Sequence, residues 1–199
     1  MLRVVQWQDR ASVFTYDQQM TTERTIVLTP FQPTEQSLVD MLRPFLKQAF
    51  AANIEVGEAL RMPARAYSPE RRQYRSAVLL DVLARQKQPE SERQLGITDV
   101  DLYTPDLNFV FGEADARRGI AVFSLARLQA DDSHRFVQRA ATEAIHELAH
   151  TYGLGHCDDA RCVMWFSNTL AETDRKGTAF CQTHAEALHR ALGTLRSRA

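Results

Sequence analysis

The stretch that decides the fold is HELAHTYGLGH, residues 146–156. Its first five residues, HELAH, continue an apolar periodicity that predicts a helix. On a helix, His146 and His150 lie on one face with their Cβ atoms about 5–6 Å apart, so both imidazoles can chelate one metal ion. Glu147 flanks that face and is expected to place a carboxylate beside the ion without ligating it. The pattern therefore predicts a metal site on a helix with an acidic group next to it.

Beyond the helix, the same motif supplies a turn and a third histidine. Gly153 gives the backbone access to positive φ, so the chain can turn sharply and return His156 to the metal. Three protein ligands and one open position are typical of a catalytic zinc site. Met164 follows eight residues after His156, at the position of the Met-turn in metzincin peptidases. A helix with solvated histidines and a C-capping glycine is the alternative, but it does not explain the placement of Gly153 and His156.

A second metal site is predicted directly after the first. Three thiols and one imidazole match a closed tetrahedral zinc site, and they come from Cys157, Cys162, Cys181 and His184. Three is an odd number for a disulfide framework, and the N-terminal MLRVVQWQDR lacks the apolar run of a secretory signal. We therefore expect reduced thiols and a cytoplasmic location. The alternative is three reduced, buried cysteines and a surface histidine.

Strand and helix patterns alternate upstream of these motifs, which predicts an α/β fold with a largely parallel sheet. The predicted strands are residues 25–31, 53–56, 92–98, 107–111 and 119–125, and residues 3–7 are a further candidate. The predicted helices are residues 34–49, 76–86, 133–152 and 182–195. The fourth main strand has no helix on either side, so it is predicted to be the antiparallel edge of a mixed sheet; it consists of Leu107, Asn108, Phe109, Val110 and Phe111.

Composition and charge indicate an ordinary globular domain. The chain has 199 residues, of which 44% are hydrophobic and 25% are charged, as expected for one domain with a real core. A net charge of −1 provides no field that would attract nucleic acid or an anionic membrane surface. No apolar run approaches the ~18 residues that span a bilayer. The sequence therefore predicts neither a nucleic-acid partner nor a membrane partner.

These motifs and several longer stretches resemble the archaemetzincin family of metzincin zinc metallopeptidases. The family signature, H-E-x-x-H-x-x-G-x-x-H-C-x4-C-x-M followed by F-C-x-x-C, reads here HELAHTYGLGHCDDARCVM and FCQTH, residues 146–164 and 180–184. YSPERRQY, GITDVDLYTPDLNFVFG and FSNTLAETDRK also resemble the family; they are residues 67–74, 96–112 and 166–176. The resemblance covers roughly residues 25–192. It departs at His184, where the family usually has cysteine.

The resemblance implies a compact α/β domain with a twisted mixed sheet, an active-site helix and a small zinc-stapled C-terminal subdomain. It divides the chain into an N-terminal extension, a subdomain with the active-site helix and a C-terminal subdomain, at residues 1–24, 25–153 and 154–199. It implies a protein that hydrolyses peptide bonds in a peptide or protein substrate and holds two zinc ions, one catalytic and one structural. We expect the chain to be a monomer.

The resemblance also assigns the site residues. The catalytic zinc is expected at His146, His150 and His156, with Glu147 as general base. The structural zinc is expected at Cys157, Cys162 and Cys181. Its fourth ligand is open between His184, His189 and Asp158, and the spacing favours His184.

Two other functions are compatible with parts of the sequence. A catalytically silent protein on the same frame would bind peptides or a partner, but the intact Glu147 argues against it. A zinc module for nucleic acid is disfavoured by the near-neutral charge and the eighteen-residue gap between Cys162 and Cys181. The predicted edge strand at 107–111 can pair with an extended peptide by strand addition, and an ordinary sheet edge explains it equally well.

Overall fold

The structure is a computed structural model of the chain and describes residues 24–196. The candidate strand at residues 3–7 lies outside the described residues. The strands are β1 (Thr25–Pro30), β2 (Asn53–Val56), β3 (Tyr67–Ser68), β4 (Gln73–Arg75), β5 (Arg93–Thr98), β6 (Leu102–Tyr103), β7 (Gly112–Asp115) and β8 (Ile120–Ser124). The helices are α1 (Gln36–Phe50), α2 (Ser76–Gln86), α3 (Ser133–Thr151), α4 (Leu170–Lys176) and α5 (Gln182–Arg196), with one 3-10 turn at Ala64–Ala66.

The main sheet has five strands in the order β2-β1-β5-β8-β7. The first four strands are parallel, and β7 pairs antiparallel with β8 at the edge. A small second sheet has the order β3-β4-β6. The predicted mixed α/β fold with one antiparallel edge strand is therefore confirmed.

The position predicted for that edge strand is wrong. Residues 107–111 (Leu107, Asn108, Phe109, Val110 and Phe111) form a loop whose single bridge joins Val110 to Leu102, and the edge strand begins at Gly112. The apolar side chains that suggested a strand pack locally: Phe109 and Phe111 form an edge-to-face pair with ring centroids 5.2 Å apart. The sequence of the true edge strand is GEAD, which is polar and half-buried.

Alternating side chains of the central strands build two apolar layers. Leu95 and Ile97 of β5 face one layer, which also contains the buried faces of α1 and α3. Ile120 and Val122 of β8 face the other layer, which contains α2. The period of two along each strand thus places α1 and α3 on one face of the sheet and α2 on the other.

Helix α3 begins and ends where its sequence indicates. Asp132 caps its first turn, because the Asp132 carboxylate accepts from the backbone N–H groups of His134 and Arg135. Gly153 has φ +85° directly after the helix, the left-handed conformation expected of a glycine at that place. The cap and the glycine together fix the length of the helix that carries the histidine motif.

The C-terminal part contains one helix that the sequence analysis missed. Helix α4 begins after Thr169, whose hydroxyl and Glu172 form a reciprocal capping box. Leu188 and Leu192 of α5 join the same apolar layer as α3. The division of the chain at residue 153 stays a prediction. Between residues 24 and 196, no helix combines the length and the apolar character needed to cross a membrane.

Candidate active site

The three histidines of the motif come together at the C-terminal end of α3. One nitrogen each of His146, His150 and His156 lies within 4.8 Å of the others. Helix α3 supplies the first two, and the turn at Gly153 brings back the third. The arrangement matches the one expected from the sequence.

The hydrogen bonds of the first two histidines aim their other nitrogens at a common point. His146 Nδ1 lies 2.8 Å from the carbonyl oxygen of Val163, and His150 Nδ1 lies 2.7 Å from that of Leu154. A carbonyl oxygen can only accept, so both Nδ1 atoms carry the proton and both Nε2 atoms present lone pairs.

The distance between these lone pairs fits a shared cation. The two Nε2 atoms of His146 and His150 are 3.0 Å apart, where two acceptors repel each other unless a cation lies between them. Two nitrogens of a tetrahedral zinc site, bound at 2.0–2.1 Å, are about 3.3 Å apart. The geometry and the donor set therefore fit a zinc ion.

The environment keeps these imidazoles in the form that binds metals. Burial lowers the pKa of His146 well below its usual value, and the positive charge of Lys176 lowers it further. Burial also lowers the pKa of His150 and of His156. Neutral imidazole is the metal ligand, so the site is prepared to accept a cation.

Glu147 lies next to the first ligand and is 6% exposed. Burial raises the pKa of its carboxyl group well above the usual value, and the neighbouring carboxylate of Glu143 raises it further. The positive charge of Lys176 acts in the opposite direction. A buried carboxylate beside a metal site is a candidate proton acceptor.

A buried ion pair behind the active-site helix was missed by the sequence analysis. Lys176 Nζ lies 3.1 Å from Glu143 Oε1, with side-chain exposures of 0% and 2%. The Glu143 carboxylate also accepts from the hydroxyl of Thr173, 3.0 Å away. Two signals for it are present in the sequence: Glu143 lies four residues before Glu147, and Lys176 ends the FSNTLAETDRK stretch.

The cysteines converge on a second group. Single ligand atoms of four residues lie within 4.8 Å of one another: Cys157, Cys162, Cys181 and His184. The Sγ atoms of Cys157 and Cys181 are 3.7 Å apart, too far for a disulfide and close to the about 3.8 Å between two thiolates on one tetrahedral zinc. The two alternative fourth ligands, His189 and Asp158, are not part of this cluster.

His184 is oriented for this second group by its own hydrogen bond. Its Nε2 lies 3.2 Å from the carbonyl oxygen of Gly155, so Nε2 carries the proton and Nδ1 points its lone pair at Cys181 Sγ, 3.3 Å away. Burial raises the pKa of the Cys181 thiol, but hydrogen bonds from the backbone N–H of His184 and from the other thiols outweigh burial and lower the pKa to about 7. Burial raises the pKa of Cys162 to about 11. A thiol of lowered pKa is prepared for metal binding.

Met164 and Phe166, which follow the histidine motif, contact Cys157 and His156 respectively. Met164 is fully buried, and its carbonyl oxygen accepts from the backbone N–H of Cys157 at 2.9 Å. Phe166 is 46% exposed although it is a large apolar residue, and its ring lies 4.9 Å from the His156 ring. An exposed aromatic ring beside a metal ligand is a surface that an apolar group of a substrate can contact.

The loop at residues 107–111 is held in place by side chains from the small sheet. Arg71 donates to the carbonyl oxygens of Leu107 at 2.7 Å and Asn108 at 3.1 Å, and Gln73 donates to the latter at 2.9 Å. The guanidinium of Arg127 stacks on the Phe109 ring, 4.2 Å from its centroid. Arg71 was missed as a structural residue, although it belongs to the YSPERRQY stretch of residues 67–74.

Comparison with known proteins gives one consistent family. A family model described as "Peptidase family M54" matches residues 26–190. The archaemetzincin of Methanopyrus kandleri is 42% identical over 160 residues, which cover 80% of this chain and 91% of that protein. The chain belongs to peptidase family M54. It is therefore a zinc metallopeptidase, as the histidine motif predicted.

Solved structures of similar proteins share the fold. The crystal structure of the Methanopyrus kandleri archaemetzincin has a TM-score of 0.78 at 41% identity, covering 85% of this chain and 96% of that one. The archaemetzincin of Archaeoglobus fulgidus, solved in complex with malonate, has a TM-score of 0.74 at 36% identity, covering 82% and 99%. A zinc-dependent peptidase from Methanocorpusculum labreanum has a TM-score of 0.73 at 28% identity, covering 82% and 99%.

Proposed function

We propose that this M54 peptidase hydrolyses peptide bonds with a catalytic zinc at His146, His150 and His156 and with Glu147 as the general base. The observation that carries the proposal is the pair of Nε2 lone pairs 3.0 Å apart, next to a buried carboxylate of raised pKa. Zinc bound there supplies a Lewis acid, which makes water more acidic and polarises a carbonyl group.

The proposed work of Glu147 is proton transfer. Its carboxylate accepts a proton from the attacking water and passes it to the nitrogen of the leaving amine. Burial and the neighbouring carboxylate of Glu143 raise the pKa of Glu147, so its carboxylate is a stronger base than an exposed one. The same burial excludes bulk water from the transfer.

The substrate is proposed to be an extended peptide that pairs with the free edge of β7. The sequence had predicted this pairing for residues 107–111. Ser124 donates to the carbonyl oxygen of Phe111 at 2.8 Å, so these two residues form a hydrogen-bonded pair of the antiparallel ladder. Such pairs alternate along a ladder, so the backbone groups of Gly112 and Ala114 point away from β8. They are the groups available to a peptide by strand addition.

The cysteine group is proposed to hold a second, structural zinc. Its four ligands are Cys157, Cys162, Cys181 and His184, and the 3.7 Å separation of two thiols supports a shared ion. A closed set of four ligands leaves no open position for a substrate. The monomeric state and the cytoplasmic location stay predictions.

The test of the proposed function replaces Glu147 with glutamine, which keeps the side-chain size and removes the basic carboxylate. We expect the wild type to cleave a mixture of unstructured peptides, to lose activity with a chelator and to regain it with zinc. Glu147→Gln should retain zinc and lose turnover by about 100- to 10,000-fold.

Two outcomes contradict the proposal. Unchanged turnover in Glu147→Gln would remove this residue from the role of base. Peptide binding by the zinc-loaded wild type without any cleavage would favour the catalytically silent alternative.

A further inference from the structure

Gly112, the first residue of β7, touches the side chain of Glu147. A Cβ atom built on this glycine would lie 2.5 Å from Glu147 Cγ and 2.6 Å from Glu147 Cδ. It would also lie 2.6 Å from the carbonyl oxygen of Val122 on the neighbouring strand. Real Cβ atoms do not approach other atoms this closely, so any side chain at this position forces a displacement.

The required displacement is large compared with the precision of a catalytic site. Ordinary contact begins at 3.4 Å, so Glu147 or the backbone of β7 would have to move by about 1 Å. Glu147 is buried on α3, and Gly112 is paired with Phe123 of β8, so both partners are held by their neighbours. The carboxylate is the most easily moved of these groups, because it is the end of a rotatable side chain.

We propose that Gly112 is a positioning residue for Glu147. The missing side chain lets the carboxylate lie directly against the edge strand. The backbone N–H and C=O groups of Gly112 point to the free edge, so the peptide residue paired with Gly112 is the one that lies next to the general base. The inference rests on the proposed function, because it assigns Gly112 a role through Glu147.

The test replaces Gly112 with alanine, which preserves the backbone hydrogen-bonding groups. We expect kcat to fall by about 100-fold, as for a 1 Å displacement of a reacting group, while KM and the zinc content change little. A purely structural role would lower the amount of folded protein but leave kcat per folded molecule unchanged.

Gly96→Ala is the matched control. Gly96 lies in β5 of the same sheet, and its added Cβ would lie 2.6 Å from Leu83 Cδ1 and 3.0 Å from a ring carbon of Phe31, away from Glu147. This variant introduces a comparable clash in the other apolar layer. We expect a lower unfolding temperature and an unchanged kcat per folded molecule.

A double-mutant cycle separates the contact with Glu147 from the contact with Val122. If the new methyl group collides with Glu147, Gly112→Ala lowers the unfolding temperature less in a Glu147→Ala background than in the wild type. Equal decreases in the two backgrounds would overturn the proposal, as would an unchanged kcat in folded Gly112→Ala. Loss of turnover in Glu147→Gln together with an unaffected Gly112→Ala would leave the proposed function standing and remove only this inference.

Discussion

The two groups of metal ligands lie on different kinds of structure. His146 and His150 belong to α3, a 19-residue helix whose motif region is buried against the main sheet. The ligands of the cysteine group lie between residues 157 and 184. Between the end of α3 and the start of α5, the chain forms one helix, the seven-residue α4. One group is placed by the apolar core, and the other lies in a segment with little regular structure of its own.

This difference indicates what each metal would do for the fold. Helix α3 is held by packing, so its histidines keep their positions without depending on the ion. The segment at residues 154–181 buries Leu154, Val163 and Met164 in the core. It is also held by polar attachments: the cysteine group, the Lys176–Glu143 pair and the pair between Arg139 and Asp174. The contribution of each attachment to stability can be measured separately.

The largest effect is expected at the cysteine group. Cys162 is 1% exposed, and Cys162→Ser should remove the structural ion and with it the order of the segment at 154–181. Apparent binding free energies of structural zinc sites are about 10 kcal/mol or more, which exceeds the stability of many domains. The check is a zinc count, the unfolding temperature and limited proteolysis of the segment.

His150→Ala is the counterpart for the helix. It should abolish peptide hydrolysis and lower the zinc count by one, with a much smaller change in unfolding temperature than Cys162→Ser. Equal loss of stability in the two variants would mean that α3 also depends on its metal, and the contrast between the two regions would be wrong.

The same contrast explains which parts could be predicted from the sequence. The convergence of His146, His150 and His156 could be predicted, because an i, i+4 pair on a helix has one geometry and Gly153 allows the turn that returns the third histidine. The strands of the parallel sheet were found within about two residues, as is typical for buried apolar runs. These are features in which local sequence and tertiary position agree.

The edge of the sheet and the C-terminal segment could not be predicted as well, since contacts from afar decide them. The sequence of the loop at 107–111 predicts a strand. In the structure the carbonyl oxygen of Leu107 accepts a hydrogen bond from Arg71, which lies 36 residues away in the chain. The sequence GEAD of β7 does not predict a strand, because Gly, Glu, Ala and Asp are all uncommon in strands. Lys176 ends a stretch that resembles the family, but only the fold shows that it lies against Glu143.

A smaller effect is expected at the buried ion pair. Lys176→Met leaves Glu143 as an uncompensated buried charge, which typically lowers the free energy of unfolding by about 3–5 kcal/mol. The check is urea unfolding of the zinc-loaded protein. Combining Lys176→Met with Glu143→Gln removes both charges and should restore a large part of the loss. No recovery in the double variant would mean that Lys176 stabilises α4 by packing rather than by charge.

The smallest effect is expected at Asp174, where Arg139 forms two hydrogen bonds, of 2.6 and 2.8 Å, across α3 and α4. The pair is partly exposed to solvent on the Asp174 side, so Asp174→Asn should lower the free energy of unfolding by only about 1 kcal/mol near neutral pH.

The pH dependence of this loss has a definite sign. Hydrogen bonds from Arg139 lower the pKa of Asp174 below its usual value. A carboxylate with a lowered folded-state pKa stabilises the fold above its unfolded pKa, and the contribution disappears as the pH falls through the folded value. The stability difference between wild type and Asp174→Asn should therefore be constant above about pH 5 and should shrink as the pH falls through the folded-state pKa. Metal loss in acid affects both proteins, so the difference between them is the quantity to measure.

Asp40→Asn is the control: its partner Arg43 lies 3.6 Å away with both side chains half exposed, and no change in the free energy of unfolding is expected. A gap for Asp174→Asn that widened in acid would show that this pair does not anchor α4 through its charge.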